Sequence, residues 1–136
     1  MPVPLRYLWA LPATVLGVLL AVLARTSGGE WRRVDGVLEA SGGWTARLLR
    51  IGFPFSGPVA AITFGHVVLG ASVRDLDATR AHERAHVRQF ERWGVLMLVL
   101  YPLAGLLAGL RGGDPYRDNL FEREARAAER GGRPCV

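Results

Sequence analysis

The stretch that decides the fold is residues 79–93, which read TRAHERAHVRQFERW. No Gly or Pro occurs between Asp75 and Gly94, so the sequence predicts one uninterrupted helix there. Asp75 or Asp77 can cap its start, because a carboxylate accepts hydrogen bonds from the free N–H groups of a first helical turn. The sequence therefore predicts a capped helix that carries two of the three histidines of the chain.

A short motif within this helix points to a metal site. His82, Glu83 and His86 form the pattern H-E-x-x-H. Residues four apart lie on one helix face, so both imidazoles can reach one ion, and neutral imidazole nitrogen is a common zinc ligand. Glu83 follows the first ligand and is placed to act as general base toward a zinc-activated water. The alternative is a pair of ordinary surface histidines, since short patterns also occur by chance.

The opposite face of the helix is strongly basic. Like charges four residues apart repel one another, so we expect this face to be solvated or to lie on anionic lipid headgroups. Nucleic-acid binding is not expected, because glutamates dilute the charge and no aromatic residues are interleaved with the arginines. The basic residues are Arg80, Arg84, Arg88 and Arg92.

A catalytic zinc site needs three protein ligands and one open position, so a third ligand must come from elsewhere. His66, Glu122 and Glu124 are the open choices. Glu91 points away from the histidine face, and the two aspartates at the helix start are better explained as caps. His66 lies on a predicted strand, where it can equally be a sheet residue that shares a face with apolar neighbours.

A second motif follows further along the chain, in the segment Glu122-Arg123-Glu124-Ala125. An H-E-x-x-H helix followed by a helix with E-x-E-A resembles the gluzincin zinc peptidases, which include minimal minigluzincin forms and membrane-embedded relatives. The resemblance covers residues 60–128 and leaves the N-terminal helix out. It implies a zinc ion held by both helix histidines and Glu122, with Glu124 as the alternative.

Three features bear on what this resemblance implies. The group often has Asp one residue after the Ala, where it supports a ligand histidine, whereas this chain has Arg126. Glu122 can also be the far end of a capping box that begins at Asn119, with an ion pair to Arg126. The group places an edge strand beside the metal to align a peptide substrate, and residues 61–70 fit that place by their order along the chain.

The remaining elements are short strands and one more helix. Residues 61–70 are rich in β-branched and aromatic side chains and predict a strand, or two strands broken near Gly65. A weaker strand pair at 31–34 and 36–40 turns at Asp35 and Gly36. A last helix spans residues 120–130. Together these predict an α+β fold: a small zincin-like domain with a short antiparallel sheet, the H-E-x-x-H helix and a C-terminal helix that bears the glutamates.

The composition limits the class of protein. The chain has 136 residues, of which 50% are hydrophobic and 21% charged, which excludes an intrinsically disordered chain. Its length suits one domain. Its basic residues are 17 arginines, and its net charge is +5. The one cysteine, Cys135, excludes a disulfide framework and a cysteine-based zinc ribbon.

Residues 7–24 form the first of two long apolar runs. They are uncharged, lie between Arg6 and Arg25, and as a helix would be about 27 Å long, close to the thickness of a hydrocarbon core. We predict a transmembrane anchor at residues 1–25 and a metal-binding domain at 26–136. The alternative is a signal peptide cleaved after Ala24.

Residues 93–110 form the second apolar run, which Pro102 and Gly105 interrupt. This segment is a kinked span, a buried helix or a re-entrant hairpin. A single crossing would place His82 and Glu122 on opposite sides of the bilayer, so we expect a hydrophobic hairpin and one spanning helix in all. Arginines are more numerous after the first run than before it, which predicts a cytoplasmic metal domain.

These observations lead to two hypotheses about function. The first is a membrane-anchored zinc metallopeptidase that hydrolyses peptide bonds in a peptide or protein substrate, with Tyr116, Asn119 or His66 as candidate stabilisers of the oxyanion. The second is a non-catalytic membrane-associated interaction protein with a structural or vestigial metal site. Membrane lipid is an expected partner under both hypotheses.

Overall fold

The computed structural model describes residues 2–54 and 56–131, and Cys135 lies outside them. The described residues form an α+β fold, as predicted. Its elements in chain order are α1 (Val3–Thr26), β1 (Glu30–Val34), β2 (Val37–Ser41), α2 (Gly43–Ile51), β3 (Ala61–Phe64), β4 (Val67–Gly70), α3 (Val73–Trp93), a 3-10 turn (Gly94–Leu96), α4 (Met97–Leu110) and α5 (Leu120–Gly131).

The four strands form one mixed sheet in the order β1-β2-β4-β3. The predicted hairpin is present, with β1 antiparallel to β2 around Asp35 and Gly36. Of the two alternatives for residues 61–70, the structure has two strands, with β3 antiparallel to β4 around Gly65. Asp35 and Gly36 both have positive φ, 51° and 78°, as a two-residue hairpin turn requires. The prediction of an antiparallel sheet is wrong in one respect, because β2 and β4 are parallel. Helix α2, which was not predicted, lies between β2 and the second hairpin in the sequence.

Helix α3 contains the H-E-x-x-H motif and runs without a break from Val73 to Trp93. Its cap is Ser72 rather than either aspartate: the Ser72 hydroxyl oxygen accepts the N–H of Asp75 at 3.1 Å. Asp75 in turn accepts the Ser72 hydroxyl proton, whereas Asp77 pairs with arginines. The helix ends at Gly94, whose φ of 59° favours glycine.

Helix α1 packs on the sheet and on α3 through small residues. A Cβ atom on Gly17 would lie 2.7 Å from the side chain of Val67, so only glycine permits this approach. Small residues toward the protein and large apolar residues outward are typical of helices in lipid. The buried residues of α1 are Ala10, Ala13, Gly17, Ala21 and Ala24.

Helix α4 corrects the expectation of a hairpin in residues 93–110. The chain continues through Pro102 as one helix, and Gly105 serves packing instead of a turn, because a Cβ there would lie 2.9 Å from the carbonyl oxygen of Pro115. Its large apolar side chains face outward, and Val99, Leu103, Leu106 and Leu110 are all exposed.

Within the described residues, two helical segments are long and apolar enough to cross a membrane. They lie in Val3–Thr26 and in Val73–Leu110, and only 28% and 22% of their most apolar windows are buried. A core helix of a soluble domain would be mostly buried. Length, composition and exposure together therefore support membrane association.

Candidate metal centre

Three side chains from two helices converge on one point. His82 and His86 lie one turn apart on α3, and Glu122 lies in the first turn of α5, forty residues after His82. The His82 Nε2 atom is 2.9 Å from Glu122 Oε2, and the His86 Nε2 atom is 3.2 Å from Glu122 Oε1. One potential ligand atom from each residue lies within 4.8 Å of the others. These three residues could hold a metal ion, and they are the set that the sequence predicts.

The loop between α4 and α5 positions Glu122. Asn119 is buried, and its side-chain oxygen accepts the N–H of Phe121 at 2.9 Å, which caps α5. Its amide nitrogen donates to the carbonyl of Tyr101, which joins the cap to α4. The capping-box alternative is thus half right: Asn119 caps the helix, but Glu122 faces the histidines. Arg126 donates to the carbonyl of Arg117.

Each histidine has a partner on its other ring nitrogen. Gln89 donates its amide N–H to the carbonyl of Phe121, so its side-chain oxygen faces His86 Nδ1 at 2.8 Å. The Nδ1 atom of His82 lies 3.4 Å from the carboxylate of Glu129. When a metal is bound, both acceptors would hold the proton on Nδ1 and direct the Nε2 lone pair inward. These two residues supply the support that Arg126 cannot give.

The three converging residues could share a cation. With both Nε2 atoms deprotonated, the two lone pairs and the carboxylate would repel one another, and the two Nε2 atoms lie 3.2 Å apart. Ligands 2.0–2.1 Å from a tetrahedral zinc ion lie about 3.3 Å apart, close to these separations. The donor set therefore fits a divalent metal that accepts nitrogen and oxygen, and a proton can occupy the same place in its absence.

Electrostatics within the cluster follow from the burial of Glu122, which is 3% exposed. Burial opposes its ionisation, but hydrogen bonds from His82 and His86 outweigh that cost and lower the pKa of Glu122. The bond with Glu122 raises the pKa of His82. For His86, burial disfavours the charged form, but Glu122 and Glu83 outweigh it, so the pKa is raised. The phenol of Tyr101 donates to Glu122 Oε1 at 2.6 Å and fixes the carboxylate.

Glu83 lies beside the cluster but points toward the sheet. The hydroxyl of Thr63 donates to Glu83 Oε2 at 2.6 Å, and both residues are buried. Burial raises the pKa of Glu83, and the charge of His86 and the bond from Thr63 oppose this only in part. Thr63 belongs to β3, which forms an edge of the sheet next to α3. The hairpin at 61–70 therefore supplies the edge strand expected beside the motif.

The other candidate residues lie outside the three-residue cluster. His66 occupies the turn between β3 and β4, stacks on Tyr7 with centroids 3.8 Å apart, and lies 3.3 Å from Glu91. Glu124 is exposed and accepts from Gln89 at 3.4 Å. Asn119 uses both polar side-chain atoms within its own loop.

Tyr116 is the one accessory candidate that remains in electrostatic reach of the cluster. Burial, together with the charges of Glu122 and Glu83, raises its pKa to about 12. Its phenol is therefore a neutral hydrogen-bond donor at ordinary pH.

Sequence analysis missed four residues that contact the site. Gln89 gave a signal, since it lies on the histidine face of the predicted helix, three residues after His86. Glu129 lies two turns after Glu122 on the same face of α5. Thr63 and Tyr101 gave none, because only the folded chain brings β3 and α4 to the motif.

The arginine face of α3 is divided in the structure. The carboxylate of Glu39 on β2 is 1% exposed and accepts two hydrogen bonds from Arg80, at 2.8 and 3.0 Å. Arg84 donates to the carbonyl of Val34 and lies 3.3 Å from the same carboxylate. The expected anion for this half of the face is thus an internal glutamate, neither solvent nor lipid.

Comparison of the chain with protein-family models, with curated proteins and with solved structures finds no match.

Proposed function

We propose that this chain is a membrane-associated zinc metallopeptidase of the gluzincin type. The observation that carries the proposal is the convergence of His82, His86 and Glu122 from two separate helices. Two neutral imidazoles and one carboxylate are the ligand set of many catalytic zinc sites, and they leave a fourth position for water or substrate. When bound, zinc would supply a Lewis acid that polarises a substrate carbonyl and makes water a nucleophile near neutral pH.

The residues around the ligands have separate tasks in this proposal. Glu83 adjoins His82 in sequence and accepts a proton from the attacking water, with its carboxylate oriented by Thr63. Tyr101 holds Glu122 in place. Tyr116 is the preferred donor to the oxyanion, because the phenol stays protonated and neither of the other two candidates is as well placed.

The edge of the sheet offers a means of binding peptide. Strand β3 pairs with β4 on one side only, and Thr63 on β3 lies next to Glu83. An extended substrate could add to this edge through main-chain hydrogen bonds. Such binding would use the main-chain groups of the substrate. A peptide or protein is therefore the expected class of substrate.

Arg84, which lies between the two histidines in sequence, does not obstruct the metal site. Its guanidinium bonds to Val34 and Glu39 on the far side of α3, away from the ligand face. Within the proposal, the exposed apolar faces of α1 and α4 associate the chain with the bilayer, and the metal domain lies on the cytoplasmic side.

The deciding experiment is zinc per chain in detergent-purified protein, measured by elemental mass spectrometry. We expect about one zinc ion in the wild type and none in His82→Ala. Glu83→Gln should retain zinc but lose hydrolysis of an unstructured test protein, labelled casein, by about 10²–10⁴-fold. Glu91→Gln, the same change elsewhere on α3, is the matched control and should keep both.

Two results would contradict the proposal. Absence of zinc from the wild type after incubation with the metal near neutral pH would favour the interaction protein. Zinc binding with full hydrolysis by Glu83→Gln would exclude this glutamate as the base.

A further inference from the structure

Arg88 and Arg92, the second half of the arginine face of α3, lie in a different environment from Arg80 and Arg84. Arg88 and Arg92 are exposed, and together with Arg6 at the start of α1 they line a groove of about 330 Å³. The remaining lining residue is Glu91. Three guanidinium groups from two helices thus surround one space at the junction of α1 and α3.

The one carboxylate of this groove is held by its own partner. Glu91 is 18% exposed, and its Oε2 atom lies 3.3 Å from Nε2 of His66, which is buried and stacked on Tyr7. A ring N–H that donates to this carboxylate occupies part of its hydrogen-bonding capacity. The groove therefore keeps a positive excess, and guanidinium groups bind phosphate through paired hydrogen bonds.

The surroundings of the groove indicate where its ligand comes from. Trp9 donates its ring N–H to the carbonyl of Arg92 at 3.2 Å, and the Arg92 guanidinium lies 5.4 Å from the ring centroid of Trp93. Tyr7, Trp9 and Trp93 are all partly exposed there. Tyrosine and tryptophan collect at the level of lipid headgroups, and the exposed leucines of α1 begin at the same place.

We propose that the groove lined by Arg6, Arg88 and Arg92 binds the phosphate of a membrane phospholipid headgroup. The acyl chains of that lipid would lie along the exposed apolar side chains of α1. The lipid would fix the depth of α3 at the membrane surface, beside the metal site on the same helix. The inference shares membrane association with the proposed function but does not depend on metal or on hydrolysis.

The test uses delipidated full-length protein in detergent, titrated with short-chain phosphatidylglycerol while tryptophan fluorescence is recorded. We expect saturable binding that Arg88→Gln/Arg92→Gln weakens at least about tenfold, because two charge-assisted hydrogen bonds to the phosphate are lost. Arg47→Gln/Arg50→Gln removes the same charge from exposed positions on α2 and should bind like the wild type. Zinc content should be equal in all three proteins, which separates this test from that of the metal site.

Further arms identify the ligand chemistry. The matching diacylglycerol, which lacks phosphate, should not compete, and inorganic phosphate in large excess should displace little lipid. Glu91→Gln should bind more tightly, because it removes the negative charge of the groove. Equal weakening by the control pair, equal binding of diacylglycerol, displacement by inorganic phosphate as effective as by lipid, or weaker binding by Glu91→Gln would each overturn the proposal.

Discussion

Helix α3 carries two carboxylate-centred clusters that differ in the chemistry of their donors. Glu122 from α5 meets one face of α3, and Glu39 from β2 meets another. Both carboxylates are buried, at 3% and 1% exposure, and each accepts contacts from at least three side chains. The partners of Glu122 are His82, His86 and Tyr101, and those of Glu39 are Arg80, Arg84 and Arg32.

This comparison shows that donor type, more than architecture, distinguishes a candidate site from a structural ion cluster. Arginine is always protonated and offers no lone pair, so the charges around Glu39 are complete without any further ligand. Histidine can give up its proton and present a lone pair, so the same arrangement around Glu122 can exchange a proton for a metal. The predictions below test whether the two clusters are functionally separate.

Removal of Glu122 should have the largest effect on metal binding. Glu122→Ala should weaken zinc binding by at least about a thousandfold, about 4 kcal/mol, because loss of a ligand should exceed the 10–100-fold effect of losing a supporting residue. Glu124→Ala, on the exposed side of the same helix, is the control and should bind zinc like the wild type. Zinc affinity measured against a competing chelator decides this, and equal affinities of the two variants would remove Glu122 from the site.

Removal of Glu39 should affect stability and leave the metal site intact. Glu39→Gln should lower the free energy of unfolding by about 3 kcal/mol, because it leaves Arg80 and Arg84 without a buried anion, and the partial exposure of Arg80 keeps the loss at the low end of the usual range. Asp77→Asn removes an exposed carboxylate from the same network and should cost far less. Denaturant unfolding and zinc content of both variants test this, and loss of zinc by Glu39→Gln would mean that the clusters are coupled.

The same pair of proteins should show how Glu39 depends on pH. Burial alone would raise the pKa of Glu39, but the hydrogen bond and charge of Arg80, with the charge of Arg84, lower it below the usual value. A carboxyl whose pKa is lower in the folded state contributes its stability above the ordinary carboxyl pKa and loses it as pH falls through the lowered one. The stability difference between wild type and Glu39→Gln should therefore be constant near neutral pH and shrink in acid. A difference that grows in acid would contradict this assignment.

The sequence predicted the elements that depend on local pattern, but it did not predict the pairings that depend on tertiary contacts. The helix with H-E-x-x-H, the turn at Asp35 and the helix that begins at Leu120 all follow from spacing and turn chemistry. The parallel pairing of β2 with β4 could not be predicted, because it depends on the path of the chain through α2.

The candidate site shows the same division. Both histidines follow from the motif, whereas Glu122 was implied by resemblance and left open by the residues. The sequence correctly places the arginines of α3 on one face of the helix. It does not identify their partners, because nothing in the sequence around Glu39 marks it as a buried anion. Pro102 was wrongly expected to end a helix, because the fold accommodates it within α4.

Gln89 offers the finest test of the difference between the clusters, since it acts on the metal only through a ligand. Its side-chain oxygen accepts the N–H of His86 Nδ1, which directs the Nε2 lone pair inward. Gln89→Met keeps the volume but removes the acceptor, and it should weaken zinc binding about tenfold, or about 1.4 kcal/mol.

Gln89→Glu separates this effect from simple loss of packing. It keeps an acceptor for His86 but, like Gln89→Met, loses the hydrogen bond to the carbonyl of Phe121. If orientation of His86 is the role of Gln89, zinc affinity should survive in Gln89→Glu, although its buried carboxylate faces the Phe121 carbonyl and Glu124 and should cost more stability than Gln89→Met. Equal loss of affinity in the two variants would show that Gln89 supports α5, and with it Glu122, more than it supports the histidine. The arginines around Glu39 need no supporting acceptor of this kind, because a guanidinium group is always protonated and has no alternative tautomer.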